Sequence, residues 1–219
     1  MATVIAVLNS KGGSGKTTIS TNIGGCLHKR GNKVLIIDSD PQGSARDWYE
    51  AQPDDVELPP VVGVDRPILH KNIPTISAPY EYIIIDGAAK LEEMTASAIK
   101  VADFILIPVK HSAFDIWAVE TLVESIKARQ LITDGKPGAA FVISCQSQGT
   151  RLAKSIDDAL ADFELPILKA RTTSRIAYEE AGGAGLSVLD LAGRDKAAAE
   201  IEEITNELLE MINHAKVQA

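Results

Sequence analysis

Near the start of the chain, Ser10-Lys11-Gly12-Gly13-Ser14-Gly15-Lys16-Thr17-Thr18 gathers glycines, lysines and hydroxyls into one short string. It follows an apolar run, Thr3 to Leu8, and precedes a helical pattern with Ile19, Ile23 and Leu27 on one face. Strand, glycine loop, helix is the order a phosphate-binding loop requires. Glycines at 12, 13 and 15 let the backbone curl, so that successive N–H groups point at an anion on the helix N-terminus. Lys16 brings a mobile positive charge to the outer phosphates. Thr17 offers a hydroxyl to a Mg²⁺ bridging two phosphates, a hard ion that takes few protein ligands. The plainer alternative, an ordinary glycine-rich turn, explains neither the lysine nor the threonines.

Two more strings place acids where they would meet that loop. Asp38-Ser39-Asp40-Pro41-Gln42 closes the apolar run Lys33 to Ile37, and Asp86-Gly87-Ala88 closes Tyr82 to Ile85. In an open parallel sheet ligands sit beyond the carboxyl ends of the strands, so these acids should face the same crevice. Carboxylates around an anionic ligand repel it unless a cation intervenes, and Asp86 stands where such a cation would be held. Hydrolysis of a terminal phosphate needs a carboxylate that orients water and accepts its proton. Aspartate at a strand end also caps loops and helix starts, so that reading stays open for Asp38 and Asp40. Small residues at Gly87, Ala88 and Ala89 allow close approach to a phosphate and movement when it leaves. Lys90 has no assigned role.

The common loop pattern has glycine at position 10, where this chain has Ser10, and lacks the lysine found here at position 11. Lys11 to Thr18 resembles the deviant Walker A loop of the ParA/MinD ATPases, and Asp38 to Gln42 resembles the D-x-D-P-Q segment of ParA proteins. The resemblance implies a P-loop NTPase fold that uses ATP and Mg²⁺. It also implies an ATP-dependent homodimer in which Lys11 reaches the phosphates bound by the opposite subunit. By the same resemblance Asp40 positions the attacking water, with Lys11, Lys16 and Asp38 assisting. The implied nucleotide set is Lys11, Gly12, Gly13, Ser14, Gly15, Lys16, Thr17, Thr18 and Gln42; the implied metal set is Thr17, Asp38 and Asp86. Asp86-Gly87-Ala88 is similar to a ParF-like plasmid-partition branch, in which a ParB-like or cargo-adaptor partner stimulates hydrolysis.

The expected output lies further along. Lys169-Ala170-Arg171-Thr172-Thr173-Ser174-Arg175 carries three positive charges and no acid in a chain of formal net charge −8. Such a run can meet DNA phosphates without reading bases, and it can equally be a solvated face. Glu180-Ala181, a glycine-rich turn and Ser187-Val188 follow, similar to the C-terminal region of ParA proteins, where a basic patch meets the nucleoid. Arg175 is the first candidate and Arg171 the second, with Lys169, Arg151 and Lys154 extending the surface. The alternatives are a MinD-like membrane-surface ATPase and an ATP-dependent biosynthetic ligase on the same fold.

These residues need a scaffold. The apolar runs Tyr82 to Ile85 and Phe104 to Val109 do not alternate, as in parallel strands covered on both faces, and helical patterns separate them. The expected fold is α/β, a doubly wound, mostly parallel sheet flanked by helices on both faces, in one domain over residues 1–219. Helices are expected at Leu91 to Val101, Asp115 to Arg129, Arg151 to Phe163 and Arg194 to Ala215, and a strand at Ala139 to Ser144. Gln52 to Pro79 holds six prolines and predicts only a short strand near Val61 to Val64 and a helical turn or two near Arg66 to Lys71. The last helix carries Ile201, Ile204, Leu208 and Ile212 as a stripe with glutamates opposite, which suits packing on the sheet and not anionic lipid. Without a membrane span or signal pattern, and with an N-terminus that runs straight into the first strand, a cytoplasmic, nucleoid-associated protein is expected. Cys26 and Cys145 read as core residues, too few for an iron–sulfur cluster. The loop around Cys145 and Gln146 is the expected neighbour of the adenine.

Overall fold

A computed structural model describes residues 2–89, 92–110, 113–146, 152–193 and 195–218, with the side chains of 113–117, 152–155 and 216–218 left aside. Lys90, Arg151 and the side chain of Lys154 therefore lie outside the described residues.

Six strands form one parallel sheet: β1 (Thr3–Val7), β2 (Val34–Asp38), β3 (Val61–Gly63), β4 (Tyr82–Asp86), β5 (Phe104–Val109) and β6 (Gly138–Ile143). Their order is β3-β2-β4-β1-β5-β6. The connections are helical: α1 (Lys16–Lys29), α2 (Ser44–Glu50), α3 (Leu69–Ile76), α4 (Glu92–Val101), α5 (Ala113–Leu131), α6 (Leu152–Ala161), α7 (Ile176–Gly183) and α8 (Asp195–Gln218).

Strand side chains alternate between faces, so each apolar run feeds two cores. Leu35, Ile37, Ile83 and Ile85 pack with Leu69, Met94, Ile99, Val123 and Leu160 from α3 to α6. Val34, Ile36 and Ile84 pack on the other face with Ile23, Trp48, Ile204, Leu208 and Ile212 from α1, α2 and α8. Ile204, Leu208 and Ile212 of the last helix's stripe thus join the sheet's core, whereas Ile201 packs with Cys26, Tyr178 and Val188. At the sheet's centre β1 leads into α1 on one face and β4 toward α4 on the other, which opens a crevice at their carboxyl ends.

Four parts of the chain depart from the sequence expectation. The helix expected near Arg66 to Lys71 lies at Leu69–Ile76 and contains Pro74, because burying Leu69 and Ile73 in the core outweighs proline's penalty. α2 and α7 lacked a local signal; neither has a side-chain cap on its own N-cap residue. Residues 166–174 run beside β6 and bond it through Phe141 N to Pro166 O (2.9 Å) and Thr172 N to Ile143 O (3.1 Å). That seam places the basic segment along the sheet's edge.

Candidate nucleotide site

The glycine loop is pinned from three sides. Buried Asn9 donates from Nδ2 to Pro108 O (2.7 Å) and accepts from Lys11 N (2.8 Å), which ties the loop's entry to β5. Ser144 Oγ donates to Ser14 O at 2.6 Å and ties its middle to the end of β6. Ser10 Oγ donates to Ala118 O in α5, a bond that glycine could not make. Gly13 and Gly15 turn the chain with φ of 71° and 95°, and Gly15 is the N-cap of α1. The backbone thus delivers Lys16 at the start of a helix whose first N–H groups face the crevice.

Lys16 is buried at 7 % exposure, with Nζ donating to Lys11 O at 3.2 Å. Burial pushes its ammonium below the ordinary lysine value, while Asp86 and then Asp40 pull it back up. Both acids therefore converge on this one cation.

Asp86 is 1 % exposed at the end of β4, level with Asp38 on β2 and Val7 on β1. Its Oδ2 accepts from Thr17 Oγ1 at 2.7 Å and its Oδ1 from Ser20 Oγ at 3.1 Å. Burial pushes this carboxyl up to about 7; the Thr17 and Ser20 hydrogen bonds and Lys16 work against that, and Asp38 adds to it. A carboxylate so short of positive charge, with a threonine hydroxyl in contact, fits a divalent cation. Among the described residues no three His, Cys, Asp or Glu side chains cluster as a metal cage. A Mg²⁺ held by one carboxylate, one hydroxyl, phosphates and water needs no such cage. Gly87 follows because a Cβ there would stand 2.8 Å from Val7 O and 2.5 Å from Leu8 Cδ2.

The two aspartates of the second string separate in role. Asp38 is buried, and Oδ2 accepts from Ala45 N (3.1 Å), Arg46 N (3.0 Å) and Arg46 Nε (3.4 Å), while Oδ1 accepts from Asp40 N (3.0 Å). Its carboxylate caps α2 from the strand end, the helix-capping alternative left open above. Asp40 is half-buried, accepts from Gln42 N (3.0 Å) and faces Ala89 N at 3.4 Å.

A pocket of about 550 Å³ joins these groups. Gly12, Gly13, Gly15, Lys16, Thr17, Thr18, Asp40 and Gln42 line it, as do Lys110, Cys145, Ser174, Arg175, Tyr178 and Glu179, but Lys11 does not. Lys110, Ser174, Tyr178 and Glu179 were missed in the sequence because they share no motif with the loop. Cys145 is a correction: it is exposed, with φ of 53°, and not a core residue, whereas Cys26 is buried. A strand-end turn, and not the apolar run before it, sets its environment. Gln146 stays outside the lining but pairs with Thr173 beside it.

The basic segment is heavily paired. Arg175 Nη2 meets Glu200 Oε1 and Arg171 Nη2 meets Asp157 Oδ2, each at 2.7 Å. Lys169 is exposed and its N–H donates to Glu207.

Residues 5–214 match the family described as the CobQ/CobB/MinD/ParA nucleotide binding domain. The chain belongs to this family. A relative in Halothiobacillus neapolitanus, maintenance of carboxysome distribution protein A, is 32 % identical over 95 % of this chain and 97 % of its own. Among solved structures, apo McdA from Cyanothece superposes with a TM-score of 0.79 at 18 % identity, over 95 % of this chain and all 100 % of that one. MinD from Pyrococcus horikoshii with Mg-ADP gives 0.73 at 18 % identity, over 95 % and 96 %. These likenesses bear out the α/β parallel-sheet fold and the ParA/MinD resemblance. The matched family is a nucleotide-binding one, and residues 5–214 include both the pocket and the glycine loop. Among the described residues, no helix is long and apolar enough to cross a membrane.

Proposed function

We propose that this chain is a ParA-type positioning ATPase: Mg-ATP joins two copies face to face, the dimer holds DNA without reading its sequence, and partner-stimulated hydrolysis lets go. The observation that carries this reading is the split between the two loop lysines. Lys16 lines the pocket, whereas Lys11 does not, although its carbonyl holds Lys16 Nζ. This difference supports the reading in which Lys11 serves the nucleotide of a second copy.

Within one subunit, Lys16 and the loop N–H groups bind the phosphates, and Thr17 with Asp86 would hold Mg²⁺. The ion would screen charge between the outer phosphates. Asp40 orients water and takes its proton, as a carboxylate that lines the pocket and acts on the Lys16 charge. Asp38 supports it indirectly, by fixing the Asp40 backbone and α2. Asp40 also faces Ala89, so loss of a terminal phosphate there can move the segment after Asp86.

The relative named for carboxysome distribution favours a protein assembly as cargo over a plasmid, engaged through a ParB-like or adaptor protein. The tether to DNA is the segment from Lys169 to Arg175, with Lys169 and Arg171 ahead of Arg175, whose guanidinium is drawn into the pocket wall. Arg151 and Lys154 would extend it. The acidic outer face of α8, with exposed Glu202, Glu203 and Glu210, argues against an anionic membrane.

The test compares wild type, Lys11→Ala and Lys16→Ala by calorimetric ATP binding, light scattering and binding to random-sequence duplex DNA at two salt concentrations. Lys11→Ala should bind ATP and stay monomeric, and Lys16→Ala should neither bind ATP nor dimerise. DNA binding should need ATP and weaken as salt rises. A Lys11→Ala protein that dimerises normally would defeat the cross-subunit role, and wild type that ignores DNA in every nucleotide state would defeat the tether.

A further inference from the structure

Glu200, in the second turn of α8, is outside every motif discussed above, yet five donors converge on it. Its Oε1 accepts from Thr173 Oγ1 (2.7 Å), Arg175 Nε (2.9 Å) and Arg175 Nη2 (2.7 Å). Its Oε2 accepts from Thr173 N (3.1 Å) and Tyr178 OH (2.8 Å). The side chain is only 13 % exposed. Two of the three residues it holds, Arg175 and Tyr178, line the nucleotide pocket together with Ser174 and Cys145.

The same segment is held from behind by the end of β6. Cys145 N donates to Thr172 Oγ1 (3.0 Å), and Ser174 N donates to Gln146 O (3.1 Å). Residues 172–178 are therefore fixed between β6 and one carboxylate of the C-terminal helix. The phosphate loop, Asp40 and Asp86 take the phosphate portion of a nucleotide, which leaves this wall for its ribose and base.

We infer that Glu200 is a positioning residue for nucleotide binding: through Arg175 and Tyr178 it shapes the wall against which the nucleoside portion rests, and leaves the phosphate loop untouched. With Glu200 present, the Arg175 charge is spent on a fixed ion pair and the Tyr178 hydroxyl has one orientation. Without it, the arginine loses its ion pair, the tyrosine keeps only the longer bond to Ala197 O (3.4 Å), and the loop loses both of its anchors at Thr173. The inference rests on the reading of the pocket as an ATP site, and is independent of DNA and cargo.

The experiment is isothermal titration, with Mg²⁺ present, of ATP and of inorganic tripolyphosphate into wild type, Glu200→Ala, Glu200→Gln and Tyr178→Phe. Tripolyphosphate probes the phosphate loop alone. Glu200→Ala should bind ATP roughly tenfold or more weakly, the scale of lost hydrogen bonds to a charged group, with tripolyphosphate affinity unchanged. Tyr178→Phe, which keeps the ring and its packing, should lose a smaller factor for ATP and nothing for tripolyphosphate. Glu200→Gln, which keeps the acceptor for the Thr173 N–H, should recover part of the loss. ATP affinity in Glu200→Ala and Tyr178→Phe within about twofold of wild type, or a parallel fall for both ligands, would overturn the inference. Wild type that failed to bind ATP would strike the proposed function itself.

Discussion

At the scale of residues, the site rests on one buried cation and two acids that share it. Lys16 is the lysine that the glycine loop itself delivers into the pocket. Lys16→Ala should therefore abolish ATP binding, with no heat in a calorimeter at concentrations that saturate wild type. Asp40→Ala should keep ATP, lose hydrolysis and accumulate dimer in light scattering; equal monomer fractions with ATP and with ADP would remove Asp40 from catalysis. Asp86 and Thr17 were legible because an aspartate after an apolar strand and a hydroxyl after the loop lysine form a pattern in the chain. Ser20, Asn9 and Ser144 were not. Each acts through a hydrogen bond to a residue far away in sequence, as when Ser20 donates to Asp86.

Elements carry the second layer of the argument. α2 starts where Asp38 reaches Ala45 N and Arg46 N, so a strand-end acid caps it in place of its own N-cap, Gly43. Asp38→Ala should cost about 1–2 kcal/mol, the worth of a helix cap, read as a lower urea midpoint, and should fray the loop that carries Asp40. At the other end of the chain, Glu200 ties α8 to the seam beside β6. Burial raises the Glu200 carboxyl, but hydrogen bonds from Arg175, Thr173 and Tyr178 outweigh it and hold the group below its ordinary value of 4.5. A depressed folded value means the stabilisation is present above 4.5 and is lost as pH falls through the folded value. Acid unfolding followed by circular dichroism should thus be shallower in Glu200→Gln than in wild type over that range. Equal slopes would mean that the folded protein does not hold the Glu200 carboxyl below its ordinary value.

At the scale of the whole molecule, two cores lie on the faces of one sheet and a third apolar cluster joins α1, α7 and α8. Ile204 is fully buried between α8 and the sheet, so Ile204→Ala should cost about 2–5 kcal/mol in urea unfolding, the range for large-to-small core changes. A loss under about 0.5 kcal/mol would mean that α8 packs loosely, against its buried stripe. The parallel sheet, the phosphate loop and the paired acid strings could be read from the chain alone, because each depends on local order: an apolar run, then glycines or an acid, then a helical face. Those patterns fix which strand ends carry charge, and in a parallel sheet all such ends lie on one side. Tertiary structure decided what sits opposite them. Arg175 read as an open DNA contact because it closes a run of three cations that holds no acid; the acid that pairs with it is Glu200, a helix away. Cys145 read as core because it follows the apolar run of β6, yet the chain turns there and exposes it on the pocket. Local sequence sets how a segment folds, but which carboxylate neutralises a cation depends on contacts made only after the sheet has assembled.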